Sequence, residues 1–550
     1  MSDWGKGVTN NTIEWGRGST NNSIGWGSVY GDSWSGETEL EVGFDADAVA
    51  YFTAVEDAGG TLTDNVKAEF DSFVVREKDA GRWDKIKRLY PYLGGKINSA
   101  IIDAITLNAA TNSNFVDADV DATIGLTGDG STKSIIESGD ITNIITDDYN
   151  FAIGFFAKDP VGVTSSGVYY TEYYDGSNRI AIRRLFNSIG AYSGAVSTYF
   201  YDSTDITAES NWSFIMGQYT SNSRSILFNG TNVKTNTATN SNPATGFIGD
   251  PYKYNHYKST YVGQSNSSFI SQGMSETELI AFESSYKTFI NNITAYAASQ
   301  AYFTAVETAG GSFDLTSINP TYTESYVKSV HNDYILSLKT NGVWDKLTEM
   351  WLLCGKTFDG ITVKLKGSGS ITNVNFVTQD WTAAGSPLGL IGDGFTKELN
   401  GGLIDANTAT NSMMFADITV ANIASGREYC AIRSGINPIF QIDNFTGFIG
   451  GHMYNLSSRV TGSSVTTGFA IANSTAANGQ VLVNDISIGT ATAANQVVSG
   501  SVTFEGYSFS TSNGRADGRI SLMGHGASLS ASELTAFNNA TSTFKTALQL

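Results

Sequence analysis

The residues able to do chemistry are few and scattered. Four histidines, His256, His331, His452 and His525, fall in no metal-binding spacing. Two cysteines, Cys354 and Cys430, form neither a CxxC pair nor a Cys/His set, and one pair is too few for a disulfide framework. Hydrolysis of a glycosidic bond needs two flanking carboxylates, commonly delivered from one strand as E-x-D-x-E, and that string does not occur. Asp117, Asp119 and Asp121 alternate as strand residues do. Read as a calcium loop they lack glycine at the sixth position (Ala122) and glutamate at the twelfth (Gly128), so a solvated strand edge is expected. Asp129 and Asp393 sit in two GDG turns, where turn formation is the simpler role and a calcium site the rival one. Those strings lack the Gly-Lys-Ser/Thr of a phosphate loop. No enzyme activity and no cofactor are therefore expected.

One pattern suits binding. GVYYTEYYDG carries Tyr169, Tyr170, Tyr173 and Tyr174, and PYKYNHYKSTY carries Tyr252, Tyr254, Tyr257 and Tyr261. Exposed tyrosines stack on sugar faces and donate hydrogen bonds. Tyrosine is also a favoured strand residue, so ordinary sheet packing is the plainer explanation.

Composition narrows the partners. The chain has 550 residues, a net charge of −20 and only 16% charged residues, against 41% apolar and 12% aromatic. A polyanion such as DNA would be repelled. The opening MSDWGKG lacks a charged region followed by an apolar run, and no stretch reaches the ~18 apolar residues of a membrane span. Neither export nor membrane insertion is expected.

The sequence repeats itself. YFTAVEDAGG from Tyr51 returns as YFTAVETAGG from Tyr302, and GRWDKIKRLYPYLGGK from Gly81 as GVWDKLTEMWLLCGK from Gly342. The offset grows from 251 to 261, a ten-residue insertion around INPTYTESYV. GLTGDGSTK (Gly125 to Lys133) matches GLIGDGFTK (Gly389 to Lys397), and SILFNG (Ser225 to Gly230) matches QVLVND (Gln480 to Asp485). MSETELIAFESSYKTF (Met274 to Phe289) answers LSASELTAFNNATSTF (Leu529 to Phe544). Five matches in one order imply a tandem duplication.

Each copy changes period along its length. Residues 45–58 and 64–80 read as helices, the second burying Val66, Phe70, Phe73 and Val74 behind an N-cap at Thr63. Trp83, Ile86 and Leu89 continue an apolar stripe, and Trp83 and Trp344 read as core. From about residue 100 short apolar runs alternate with Asn, Gly, Ser and Asp clusters, as strands of a two-sheet sandwich do. Ser275 with Glu278, and Ser530 with Glu533, form capping boxes that open closing helices. The first should run through ITAYAASQAYFTAVE as one helix of ~30 residues, holding two sandwiches on a semi-rigid rod.

The fold class expected is mainly β with helical connectors. The divisions are 1–40, an N-terminal repeat; 41–98, a helical segment; 99–273, a first sandwich; 274–354, a closing helix and second helical segment; 355–528, a second sandwich; and 529–550, a closing helix. The second copy departs from the first at Asp485, which replaces Gly230, and at FIGG from Phe448, which suggests a shifted strand or a decorated loop.

The N-terminal stretch repeats every 11 residues, with Trp4, Trp15 and Trp26 in phase, Ile13 and Ile24 in phase, and Trp34 following. Each unit is too short to cover its own indole, whose burial removes ~150–250 Å² from water. Docking or self-association is the expected use.

These residues carry a resemblance. The GDG-x-T-K turn, the strand ending in Asn229-Gly230 or Asn484-Asp485, and the late LS-x-x-E helix resemble concanavalin A-like, laminin-G-like jelly-roll domains. Together with the WGxG opening, the chain resembles tail-fibre and head-fibre structural proteins of tailed bacteriophages, particularly those of Bacteroidetes hosts. The resemblance implies a non-enzymatic virion fibre or spike subunit, assembled in the host cytoplasm. Its partners would be other tail or capsid proteins, sister chains in a homo-oligomer (a trimer by analogy), and host-surface polysaccharide. A glycan depolymerase on a jelly roll and a bacterial surface adhesin are the alternatives.

Overall fold

The computed structural model describes residues 43–123, 125–128, 132–138, 150–158, 168–174, 179–185, 188–192, 199–201, 213–220, 223–236, 253–257, 264–353, 357–367, 371–380, 389–392, 397–405, 412–420, 427–434, 437–445, 448–453, 459–461, 466–474, 478–492, 501–506 and 519–549. Trp4, Trp15, Trp26, Trp34, Ile13, Ile24, Asp129, Asp393, Tyr252 and Tyr261 lie outside the described residues, as does Cys354.

Five long helices frame the described chain: α1 (Ala46–Asp57), α2 (Asp64–Asp79), α3 (Glu276–Thr308), α4 (Glu324–Thr340) and α5 (Ala531–Leu548). Their starts follow local chemistry. The Thr63 and Thr323 side chains accept from backbone amides three residues on and so satisfy groups that no helical turn could. Ser275 and Glu278 cap each other's amides at the head of α3, at 3.3 and 2.8 Å; Ser530 and Glu533 do the same for α5.

Helix α3 is unbroken for 33 residues, about 50 Å at 1.5 Å per residue. Its first half places Leu279, Phe282, Tyr286, Phe289 and Ile293 in one hydrophobic core. Its second half places Ala295, Tyr302, Phe303 and Val306 in another. One helix thus serves two cores in succession.

The described strands form four antiparallel sheets. In the first half an eight-stranded sheet runs Thr231–Asn236, Arg224–Phe228, Ser213–Thr220, Asn150–Lys158, Gln264–Gln272, Gly125–Thr127, Val120–Asp121, with Ile86–Tyr90 also on Gln264–Gln272. Its seven-stranded companion runs Tyr199–Tyr201, Ser188–Tyr192, Arg179–Leu185, Val168–Tyr174, Lys253–Tyr257, Ser134–Ser138, Thr111–Ser113. In the second half the seven-stranded order is Arg459–Thr461, Phe448–Met453, Asn437–Phe445, Arg427–Ser434, Ser501–Gly506, Glu398–Asp405, Thr372–Val374. That is the same path in the same chain order. In each half the two sheets touch face to face, and the eight-stranded sheet turns its other face to the helices. There Phe156, Phe214 and Phe269 meet Phe282 and Tyr286, while Phe415 and Phe469 meet Phe537 edge-on at 4.9 and 5.0 Å.

Three expectations need correction. The stripe Trp83, Ile86, Leu89 is not helical throughout. After a single 3-10 turn at Trp83–Lys85, Ile86–Tyr90 is a strand, and Leu347–Leu352 likewise. Each pairs with the last strand of its own sheet, Gln264–Gln272 or Arg519–Ala527, which supplies backbone partners that a local pattern cannot reveal. FIGG is neither shifted nor a decoration. Phe448–Met453 pairs Ile449 with Asn444 and Gly450 with Asp443, as Ser188–Tyr192 pairs Ile189 with Arg184 and Gly190 with Arg183. Its counterpart is SIGA of the first half, so the strand keeps its place. Finally, Asp117 and Asp119 lie in a 3-10 turn and only Asp121 on a short strand, so the three do not share one strand face.

Asp485 adopts the same left-handed conformation as Gly230, at the matching place in its turn. Asn229 and Gly230 have φ of 47° and 74°; Asn484 and Asp485 have 49° and 64°. Two successive positive φ values make the hairpin turn whose twist matches the strands. In both turns the asparagine carbonyl accepts a backbone amide of the neighbouring strand, Phe214 at 3.0 Å and Phe469 at 2.9 Å.

Candidate functional site

The two tyrosine-rich stretches come together. Val168–Tyr174 and Lys253–Tyr257 are adjacent strands at the middle of the first seven-stranded sheet. Their register sets Tyr173 opposite Tyr254, Tyr174 opposite Lys253, and Glu172 opposite Asn255. On the far side of Lys253–Tyr257, Tyr254 stands opposite Glu137 and Tyr257 opposite Ile135. Tyr169 lies on the same strand as Tyr173, opposite Arg183; Tyr170 falls in the bulge beside it. A second tyrosine pair, Tyr192 opposite Tyr199, lies in the hairpin at that sheet's edge. Sequence reading passed over it because SIGAY and YFY are each too short to stand out. The equivalent strands of the second half, Arg427–Ser434 and Ser501–Gly506, pair Ile432 with Phe504 and Arg433 with Thr503, and no tyrosine occupies a paired position there.

The acidic candidates resolve into structural roles. Asp117 accepts the amide of Ile97 at 3.0 Å, Asp119 that of Val116 at 2.8 Å, and Asp121 the amide and hydroxyl of Thr123. The lysine closing each GDG-x-T-K string has a described partner: Lys133 pairs with Asp119 at 2.6 Å, and Lys397 with Asp380. Lys133 also lies over the ring of Phe115. Each lysine is therefore tied to the aspartate loop before it, a role the motif alone did not disclose. Among the described residues no group of three or more His, Cys, Asp and Glu could hold a metal ion.

The buried ionisable groups were not legible in the sequence. Glu77, fully buried in α2, takes a bidentate pair from Arg82 at 2.7 and 2.8 Å. Asp103 accepts from the amides of Leu89 and Ile105 and from Thr106, beside Arg88; burial pushes its carboxyl up from the usual range. Glu283 receives the amide of Gly230 at 2.8 Å and Lys287 at 2.7 Å, and burial raises it too. Asp417 holds Ser521 and Lys545, each at 2.5 Å, and so fastens α5 to its sheet. Glu349 receives Lys364, with His525 at 3.5 Å. Each of these carboxylates bridges structural elements through a cation or a backbone amide. His331 is enclosed by Tyr302, Phe303, Phe313 and Phe544, its Nδ1 2.7 Å from the Val327 carbonyl. His256 and His452 lie on strands Lys253–Tyr257 and Phe448–Met453.

No family model matches the chain, and no curated protein matches it. Among solved structures it is similar to domain 4 of AbnA, a GH43 extracellular arabinanase from Geobacillus stearothermophilus in complex with arabinotriose. That match has 12% identity, 36% of this chain, 98% of the other and a TM-score of 0.28. It is similar to the CBM40 of the Ruminococcus gnavus IT-sialidase bound to α2,3 sialyllactose, at 8% identity over 24% and 82% with a TM-score of 0.21. A mutant HCR/D matches at 11% identity over 82% and 98%, with a TM-score of 0.35. Likenesses of this size leave the function to be argued from the chain itself. No described helix is long and apolar enough to cross a membrane.

Proposed function

We propose that the chain is a structural protein of a tailed-phage virion, a fibre or spike subunit built as a tandem duplication of a concanavalin A-like module. In this reading the N-terminal tryptophan repeat docks to the particle or to sister chains, and the two sandwiches are displayed. The observation that carries it is the unbroken α3, whose first half closes one module and whose second half opens the next. A shared helix resists bending between modules in a way a loop does not, which suits a projecting part. The buried carboxylates support the same reading, since Glu77 holds α2 to the turn after it, Glu283 holds α3 to a hairpin turn and Asp417 holds α5 to its sheet.

Glycan contact is the second element. The pairing of Tyr173 with Tyr254 sets the two tyrosine stretches on adjacent strands of the first module, and no equivalent pair occurs among the described residues of the second. Recognition of a host-surface polysaccharide is therefore assigned to the first module. The depolymerase alternative separates on assay: it requires turnover of host polysaccharide by the full chain, whereas the display reading requires binding without turnover. The docking role is tested by removing the first 36 residues. The trimmed chain should fold and fail to join its assembly; assembly as tight as that of the full chain would overturn it.

A further inference from the structure

The two halves differ where their outer helices meet. In the first half, the groove between α2 and the front of α3 is filled from within. Arg76 reaches across from α2 and donates to the Ser285 hydroxyl at 3.2 Å and the Ser285 carbonyl at 3.3 Å. Two turns along, Asn292 donates to Glu69 at 2.6 Å. The matching positions of the second half follow from the spacing of Trp83 to Trp344 and of Ser275 to Ser530. Arg76 corresponds to Ser337, Ser285 to Ala540, Glu69 to Val330 and Asn292 to Ala547. All four long or polar side chains have become short or apolar.

A cavity of about 390 Å³ is the result, open to solvent between α4 and α5 and lined by all four of these replacements. Its floor includes Tyr334 and Phe544, stacked at 4.7 Å. Its rim carries Asp333, where the first half has Ser72. Asp333 is exposed at this rim, and partial desolvation raises its carboxyl from the usual aspartate range, which a cation beside it would offset. The groove thus combines an aromatic floor, a carboxylate at the edge and room of the size a long side chain needs. In the other half the same space holds a guanidinium.

We propose that this groove is a docking site for an arginine side chain presented by a partner protein. The intramolecular Arg76 shows the path: a guanidinium reaching between the two helices to the hydroxyl and carbonyl of Ser285. Asp333 supplies the charge that attracts it, and a planar guanidinium suits both a carboxylate and a ring face better than an ammonium does. A chain of net charge −20 favours basic partners in general; the groove gives that attraction one address.

The test titrates the full chain with acetyl-Gly-Arg-Gly-amide and with its citrulline counterpart, which keeps the shape and loses the charge. The arginine peptide should bind and the citrulline peptide should bind about tenfold more weakly, as should the arginine peptide to Asp333→Asn. Ser337→Arg combined with Ala540→Ser rebuilds the first half's filling and should abolish binding without lowering the melting temperature. If that double variant misfolds, Asp333→Asn and the citrulline peptide decide. Equal binding of the two peptides, undiminished binding to either variant, or no binding of the arginine peptide would overturn the proposal.

Discussion

Gly154 leaves the space that the ring of Phe269 occupies on the neighbouring strand. A β-carbon at 154 would lie 1.7 Å from that ring. In the second half the same pair of strands carries the same arrangement with the partners exchanged: Phe415 stands opposite Gly524, where a β-carbon would meet its ring at 2.5 Å. Both rings press on the equivalent phenylalanine of the helix above, Phe282 at 4.8 Å and Phe537 at 4.9 Å. One aromatic ring fills this space in each half, and either strand can supply it.

The exchange should be transferable. Gly154→Phe alone overpacks the site and should cost ~3 kcal/mol; Phe269→Gly alone leaves a cavity and should cost ~4 kcal/mol. The double variant should recover at least half of the summed loss, as read by denaturant unfolding. Simple addition of the two losses would refute the equivalence of the halves.

The buried pair Glu77–Arg82 offers a parallel case, because the corresponding residues of the second half are Leu338 and Val343, both buried. Glu77→Leu or Arg82→Val alone strands a buried or half-buried charge and should cost ~3 kcal/mol. The double variant, which copies the second half, should be neutral or more stable. Thermal and urea unfolding of the three variants measure this directly.

Asp485 holds φ at 64°, a conformation in which glycine is at ease. Asp485→Gly should therefore stabilise the protein by ~0.5–1 kcal/mol, less whatever the 3.3 Å contact from Thr535 contributes. Asn484→Ala removes the acceptor for the Phe469 amide and should cost ~1 kcal/mol. A rise in midpoint for the first and a fall for the second, at unchanged denaturant slope, is the expected result.

His331 should make the second half acid-sensitive. Burial among aromatic rings pushes its imidazole down from 6.5 to about 4, while the unfolded chain takes up that proton near 6.5. Below pH 6.5 the unfolded state binds more protons, so stability is full above that pH and falls as pH drops towards 4, by ~3 kcal/mol in all. Lys328, which lies over Phe303 and Phe313 of the same cluster, is paired with Glu307 and Glu324 at 2.5 and 2.6 Å. His331→Phe restores the residue type of Phe70, the corresponding position of the first half, and should flatten this part of the pH–stability curve. An unchanged slope between pH 6.5 and 4 would show that His331 is not its source.

How much of this was readable beforehand depended on range. Helix ends were legible, since Thr63, Ser275 with Glu278 and Ser530 with Glu533 act within three residues. So was the buried face of α2, where Val66, Phe70, Phe73 and Val74 share a helical period. The strand Ile86–Tyr90 was not, because its partner lies some 180 residues on and its two apolar positions mimic a helical stripe. Nothing local to Glu77 or Glu283 signals burial; only the fold brings Arg82 and the Gly230 amide to them. The tyrosine stretches were visible separately, and their adjacency was not, since strand register is set by pairing rather than by local pattern.

The most direct test of the virion assignment is electron microscopy of the intact phage particle with a labelled antibody to this chain. The account predicts label along a fibre or spike, and loss of that label from particles assembled with the chain lacking its first 36 residues. Particles that carry no label, or purified chain that degrades host polysaccharide, would contradict it.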